Sequence, residues 1–266
     1  MLKGLFGGPK TFLAPEVEAW HLEAWAWLLG QPEAMENFLR AELVEPTTRF
    51  FPSTGSEGEE RIREIVEGLA SLGALDERWE FVIQLEGEGE GYEVPDIARN
   101  GGASPRRWTP SDGPALITYE ADQLSDPLAL AASIAHQVAF FRLTVLDQNP
   151  PGGADAMGHA TDLAMALCGF GLLGAMVSLR HVEARGIKAS PEVTTQGYLS
   201  PPEWAFALAI FQKLREQPIE PLKRWLSDAS FDDLRRATRY LSSNPTLLLP
   251  VLQREADARA LPIAEA

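Results

Sequence analysis

The spacing of apolar residues along the chain predicts a mostly helical protein. Two helices rich in Trp and Leu are predicted at 16–29 and 32–43, because Gly30 and Pro32 interrupt the pattern between them. A third helix is predicted after Ser56, which opens a Ser-x-x-Glu capping box. Its apolar residues recur at intervals of three and four and predict one buried face: Ile62, Ile65, Val66, Leu69 and Leu72.

Two short strands are predicted on either side of a long loop. Apolar and polar residues alternate from Trp79 to Glu86, which is typical of a half-buried strand. Residues 87–114 are rich in Gly, Glu and Pro and predict an exposed loop. The apolar residues of 115–120 then predict a second strand.

Two buried helices are predicted in the middle of the chain. The first occupies 127–146, with Asp126 as its N-cap and a proline in its first turn. No charged residue occurs from Pro127 through Phe141, and a helix without a solvated face is buried on most sides. The second is predicted at 157–179, where a long uncharged run is interpreted as a buried helix rather than a membrane span.

The C-terminal part of the chain predicts three more helices. The first is capped by Ser200 with Glu203 and runs through Leu214, and the others lie near 219–228 and at 231–243, the last capped by Ser230. We expect one compact domain with four parts: an N-terminal helical segment (1–55), a core (56–215), C-terminal helices (216–245) and a tail (246–266).

Composition narrows the classes of partner. The 266 residues carry a net charge of −15, and the basic residues are scattered, so binding to nucleic acid or to an anionic membrane is not expected. The single cysteine, Cys168, allows no internal disulfide, and the first residues are not expected to act as a secretory signal. A cytoplasmic location is expected.

Several segments together resemble an uncharacterised bacterial family of zincin-like metallopeptidases. The central helix carries His136-Gln137-Val138-Ala139-Phe140. The other similar segments are Glu-Pro-Thr-Thr-Arg-Phe-Phe-Pro (45–52), Gln-Leu-Ser-Asp-Pro (123–127), Thr-Asp-Leu-Ala-Met-Ala-Leu-Cys-Gly-Phe-Gly (161–171), Gly-Tyr-Leu-Ser (197–200) and Ala-Phe-Ala-Leu-Ala-Ile-Phe (205–211). The resemblance covers about residues 40–242. It implies an α+β, mostly helical fold in which a small sheet packs on a buried active-site-type helix with flanking N- and C-terminal helices.

The resemblance also implies a site that has lost its chemistry. In a His-Glu-x-x-His helix the two imidazoles bind zinc and the glutamate is the general base. Here Gln137 stands at the position of the base, Phe140 at that of the second histidine, and Gly158 where the family typically has an acidic residue. We therefore expect no catalytic residue, no metal ligand and no cofactor. The expected vestigial pocket consists of His136, Gln137, Phe140, Gly158, His159, Asp162 and Tyr198, with Asp162 bonded to His136 or to an arginine.

Three functions remain open from the sequence. The leading hypothesis is a pseudoenzyme that binds a peptide or protein partner through the vestigial pocket and its sheet edge. The first alternative is a metal-dependent hydrolase whose zinc site has been rebuilt from His136, His159 and Asp162. The second is a structural or assembly subunit, in which a helical face bearing Trp20, Trp25 and Trp27 forms a homo-oligomer.

Overall fold

Helices dominate the computed structural model, which describes residues 11–75, 77–86, 109–184 and 198–253, without the side chains of 179–184. In these ranges the helices are α1 (Pro15–Leu29), α2 (Ala34–Arg40), α3 (Gly58–Leu72), α4 (Pro127–Thr144), α5 (Met157–Leu167), α6 (Gly171–Ala184), α7 (Pro201–Leu214) and α8 (Asp228–Ser243). The strands are β1 (Phe81–Leu85) and β2 (Ala115–Tyr119). The mostly helical α+β class is confirmed.

The two strands pair in parallel and form a small sheet. Phe81 lies opposite Ala115, and the register continues to Leu85 opposite Tyr119. In β2, Ala115 and Ile117 are fully buried, whereas all five residues of β1 are half-buried. Helix α3 contacts β1 and helix α4 contacts β2. Most of the loop predicted at 87–114 lies outside the described residues.

Helix α4 is the centre of the core. It packs against α3, α5, α6 and β2, and its Ile134, Ala135, Val138 and Ala139 are fully buried. Burial of a Val or Ile side chain stabilises a fold by roughly 1.5–3 kcal/mol. The predicted N-cap is present, because Asp126 Oδ1 accepts a hydrogen bond of 3.2 Å from the Ala129 amide. The prediction of a helix that is buried on most sides is confirmed.

The prediction of one helix over 157–179 is wrong, because the chain turns between α5 and α6. Gly169 has φ of +87°, a conformation that glycine adopts most readily. Its carbonyl accepts a hydrogen bond of 2.9 Å from Val44 N, and a Cβ at this position would lie 2.0 Å from the carbonyl oxygen of Glu42. Of the described helices, none is long and apolar enough to cross a membrane.

Helix boundaries differ from the predictions where a polar side chain has another partner. Ser56 does not cap α3; its hydroxyl donates to Glu64 over 2.7 Å, and the helix begins at Gly58 without a side-chain cap. Helix α8 begins at Asp228 with Ser227 as N-cap, earlier than the predicted cap Ser230. Helix α2 is confined to Ala34–Arg40, and the segment predicted near 219–228 is a short 3-10 helix, Glu220–Arg224.

The carboxylate of Glu203 joins helices α1 and α7. The predicted capping box is present, with the Ser200 amide donating to Glu203 Oε2 over 2.9 Å and the Ser200 hydroxyl donating to the same oxygen. Glu203 Oε1 lies 3.4 Å from Nε2 of His21, which is fully buried on α1. Burial alone raises the pKa of Glu203, but the hydrogen bonds from His21 and Ser200 outweigh it and lower the pKa to about 2.

Replacing Glu203 with Gln is expected to flatten the acid dependence of stability. Since folding lowers the pKa of Glu203 from 4.5 to about 2, its contribution is fully present above pH 4.5 and disappears as the pH falls toward 2. At about 1.4 kcal/mol per pKa unit the contribution is at most about 3.5 kcal/mol, and solvent screening of the partly exposed carboxylate reduces it. Urea unfolding followed by Trp fluorescence at pH 6, 4 and 3 measures it. The exposed Glu220→Gln variant is the control, and equal acid dependence of wild type and Glu203→Gln would contradict the assignment.

Candidate functional site

Five of the seven residues of the predicted pocket come together where α4, α5 and residues 198–199 meet. His136 comes from α4, Gly158, His159 and Asp162 come from the first two turns of α5, and Tyr198 precedes α7. We call these five residues the histidine cluster. Gln137 and Phe140 have their contacts elsewhere.

The buried carboxylate of Asp162 holds the histidine cluster together. Its Oδ1 accepts a hydrogen bond of 2.9 Å from His136 Nδ1, so of the two predicted partners, His136 or an arginine, the structure has His136. Its Oδ2 accepts from the amides of Tyr198, at 2.6 Å, and Leu199, at 2.8 Å. A carboxylate that accepts these bonds requires the proton of His136 on Nδ1, so Nε2 of the neutral ring carries a lone pair. No group in the described ranges bonds Nε2, and the His136 side chain is 28% exposed.

Tyr198 presents an aromatic ring at the surface although three neighbours hold it. It is 52% exposed. Its ring centroid lies 6.4 Å from that of His136, with an interplanar angle of 19°, and 5.4 Å from that of His159. Below it lies Gly158, where a Cβ would come within 2.3 Å of the phenol ring. A larger residue at 158, including the acidic residue that the resemblance implies, is incompatible with this position of Tyr198.

Gln137 lies on the sheet side of α4 and binds β2. Its Oε1 accepts a hydrogen bond of 2.9 Å from Thr118 N, and its Nε2 donates to Thr118 O over 2.8 Å. Because Ala115 N and Tyr119 O face β1, Thr118 presents its amide and carbonyl to the opposite edge of β2. The carboxamide therefore takes the place of a neighbouring strand, and this part of the sheet edge is already occupied.

The remaining predictions about the pocket concern Phe140 and the rebuilt metal site. Phe140 is half-buried and its ring contacts that of Phe141, with centroids 5.8 Å apart. In the described ranges no group of three His, Cys, Asp or Glu side chains is arranged to hold a metal ion. Both oxygens of Asp162 already accept hydrogen bonds, and the ring of His159 packs between Trp20 and Tyr198.

The tryptophans of α1 contribute to the protein's own core. Trp25 is fully buried, and Trp20 and Trp27 are partly buried against the core. Trp20 also donates from Nε1 to the carbonyl of Pro151 over 2.8 Å and packs against His159. The face that the assembly hypothesis requires at the surface is therefore largely used within the chain.

A separate groove of about 830 Å³ lies at the N-terminal ends of α3 and α4. Sequence reasoning did not identify it, because its walls come from segments that are distant in the chain. None of the seven predicted pocket residues lines it, whereas parts of the segments 45–52 and 123–127 do. Leu124, which is 50% exposed, is among its lining residues.

No known protein family, curated protein or solved structure that was compared with the chain matches it. The resemblance to zincin-like metallopeptidases therefore rests on the quoted segments alone. The contacts of the histidine cluster and of Gln137 are the observations that bear on function.

Replacing Gln137 with Glu is expected to destabilise the protein by about 1–3 kcal/mol at pH 7. A carboxylate keeps the bond from Thr118 N but places a second acceptor against Thr118 O. Urea unfolding measures the difference, and the same change at the exposed Gln148 is the matched control. The loss should shrink as the pH falls and the introduced carboxyl is protonated, since it then donates again. A Gln137→Glu variant as stable as Gln148→Glu would contradict the bridging role.

Replacing Gly158 with Ala is expected to displace Tyr198 and to cost about 1–3 kcal/mol by overpacking. The control is Gly68→Ala on the exposed side of α3, where a Cβ meets nothing within 4 Å and Ala should stabilise the helix by roughly 0.5–1 kcal/mol. Urea unfolding and NMR signals of the His136 and His159 rings test both variants. Equal stabilisation by the two substitutions, with unchanged ring signals, would show that Tyr198 does not depend on Gly158.

Proposed function

We propose that this chain is a non-catalytic protein with a zincin-like scaffold, which binds a peptide or protein partner beside His136. The observation that carries the proposal is the hydrogen bonding of Gln137 to both backbone groups of Thr118. The residue at the position of the general base thus holds the helix against the sheet.

The chemistry of residues 136–140 supports a non-catalytic role. A carboxamide cannot take a proton from water at neutral pH, and both ends of this one are engaged by Thr118. Phe140 offers no atom to a metal. His136 Nε2 is then the one ligand atom left from the His-Glu-x-x-His pattern, and a single imidazole holds zinc far more weakly than a set of three ligands.

The histidine cluster supports binding because its orientation is fixed before a partner arrives. Asp162 sets the tautomer of His136 and anchors the backbone of Tyr198. An exposed aromatic ring beside a fixed hydrogen-bond acceptor is the kind of surface that anchors a partner side chain, and preorganisation lowers the entropic cost of binding. We assign the partner to this cluster rather than to the edge of β2 at Thr118, which Gln137 occupies.

Binding to an array of random decapeptides tests the proposal. We expect the wild type to bind a subset of the peptides, and Tyr198→Ala and His136→Ala to weaken that binding at least ten-fold, since truncation of a central anchor costs more than about 1.4 kcal/mol. The matched control is Leu124→Ala, which removes a side chain of similar exposure from the separate groove. Circular dichroism confirms that each variant is folded.

Three outcomes would overturn the proposal. Loss of binding in Leu124→Ala, with Tyr198→Ala unaffected, would move the partner to the groove. Cleavage of array peptides that disappears in His136→Ala would establish an active hydrolase. Stoichiometric zinc in wild type purified without chelator, absent from His136→Ala, would show that the metal site is retained.

A further inference from the structure

We infer that the histidine cluster recognises a basic side chain, with a guanidinium or ammonium group of the partner lying over the ring of Tyr198. This inference rests on the proposed function, because it names the chemistry of the partner at the same site. It follows from the ring arrangement, from the charge at Asp162 and from the polarity of the free hydrogen-bonding atoms.

The rings provide a face for a cation. Tyr198 is 52% exposed as a residue, and its ring lies over Gly158, stacks nearly parallel to the imidazole of His136 and is tilted against that of His159. The face of an aromatic ring attracts cations through its quadrupole. Elsewhere in the chain, Arg49 lies 4.9 Å from the ring centre of Phe50 and Arg224 lies 5.0 Å from that of Trp225.

The local charge favours the same ligand. Asp162 is fully buried, and its ion-pair partner within the described ranges is His136 rather than a Lys or Arg. Its other hydrogen bonds come from neutral backbone amides. The carboxylate of Asp162 is thus the acidic group of the cluster, no Lys or Arg of the described residues is paired with it, and the protein has a net charge of −15. An anionic partner would be repelled and a cationic one attracted.

Two hydrogen-bonding atoms of the cluster, His136 Nε2 and the phenol oxygen of Tyr198, favour a cationic donor over a neutral apolar group. When the neutral ring of His136 donates from Nδ1 to Asp162, its Nε2 accepts a hydrogen bond, and the phenol oxygen of Tyr198 accepts another. A guanidinium group has five N–H donors on a flat frame, so it stacks on a ring and donates sideways at the same time.

Histidine-ring NMR with two small probes tests the inference on the full chain. N-acetyl-arginine methylamide is compared with N-acetyl-citrulline methylamide, which has nearly the same shape without the charge. We expect saturable shifts of the His136 and His159 signals with the arginine probe and three- to ten-fold weaker binding of the citrulline probe. The chain has four histidines, and the signal of the buried His21 reports that each variant is folded.

Two variants of Tyr198 distinguish the contribution of the aromatic face to binding from the contribution of side-chain size. Tyr198→Phe keeps the aromatic face and should bind the arginine probe within about three-fold of wild type, whereas Tyr198→Leu should lose the binding. Equal affinity for the two probes, no shift at His136 and His159, or full binding by Tyr198→Leu would overturn the inference.

The peptide array distinguishes failure of the inference from failure of the proposed function. If peptides without Lys or Arg bind in a Tyr198-dependent way, the proposed function stands and the inference is wrong. If the arginine probe binds while no array peptide does, the cationic site stands and the proposed function is wrong.

Discussion

The carboxylate of Asp162 is the interaction on which the arrangement of the site depends. It joins α4, through His136, to the chain entering α7, through the amides of Tyr198 and Leu199, while it is itself part of α5. A fully buried charge is costly unless its lone pairs are used, and three donors use them here. The tautomer of His136, the position of Tyr198 and the contact of Tyr198 with Gly158 all follow from this group.

Sequence reasoning located elements wherever the signal was local. The apolar stripe of α3, the N-cap and first-turn proline of α4 and the Ser200–Glu203 box of α7 each depend on residues within one helix, and all are present. The errors arose where contacts between distant parts of the chain determine the boundaries of a helix. The turn at Gly169 depends on a close approach by 42–44, and Ser56 binds Glu64 instead of capping α3.

Five of the seven residues predicted for the candidate site come together, but their geometry was not predictable from the sequence. A partner for Asp162 was expected, either His136 or an arginine, and the structure shows that it is His136. The hydrogen bonds from Gln137 to Thr118 were not expected, because sequence spacing does not show which backbone groups face the outer edge of β2. The role of Gly158 was hidden as well, since it depends on a ring forty residues later in the chain.

The contact between Gln137 and Thr118 makes this position resistant to substitution. A side-chain amide that completes a sheet edge is selected for folding, whatever residue preceded it. A change to glutamate is expected to give a less stable protein, so an acid is not introduced here at low cost. Because the amide of Gln137 supports the scaffold, selection for stability alone is enough to retain it.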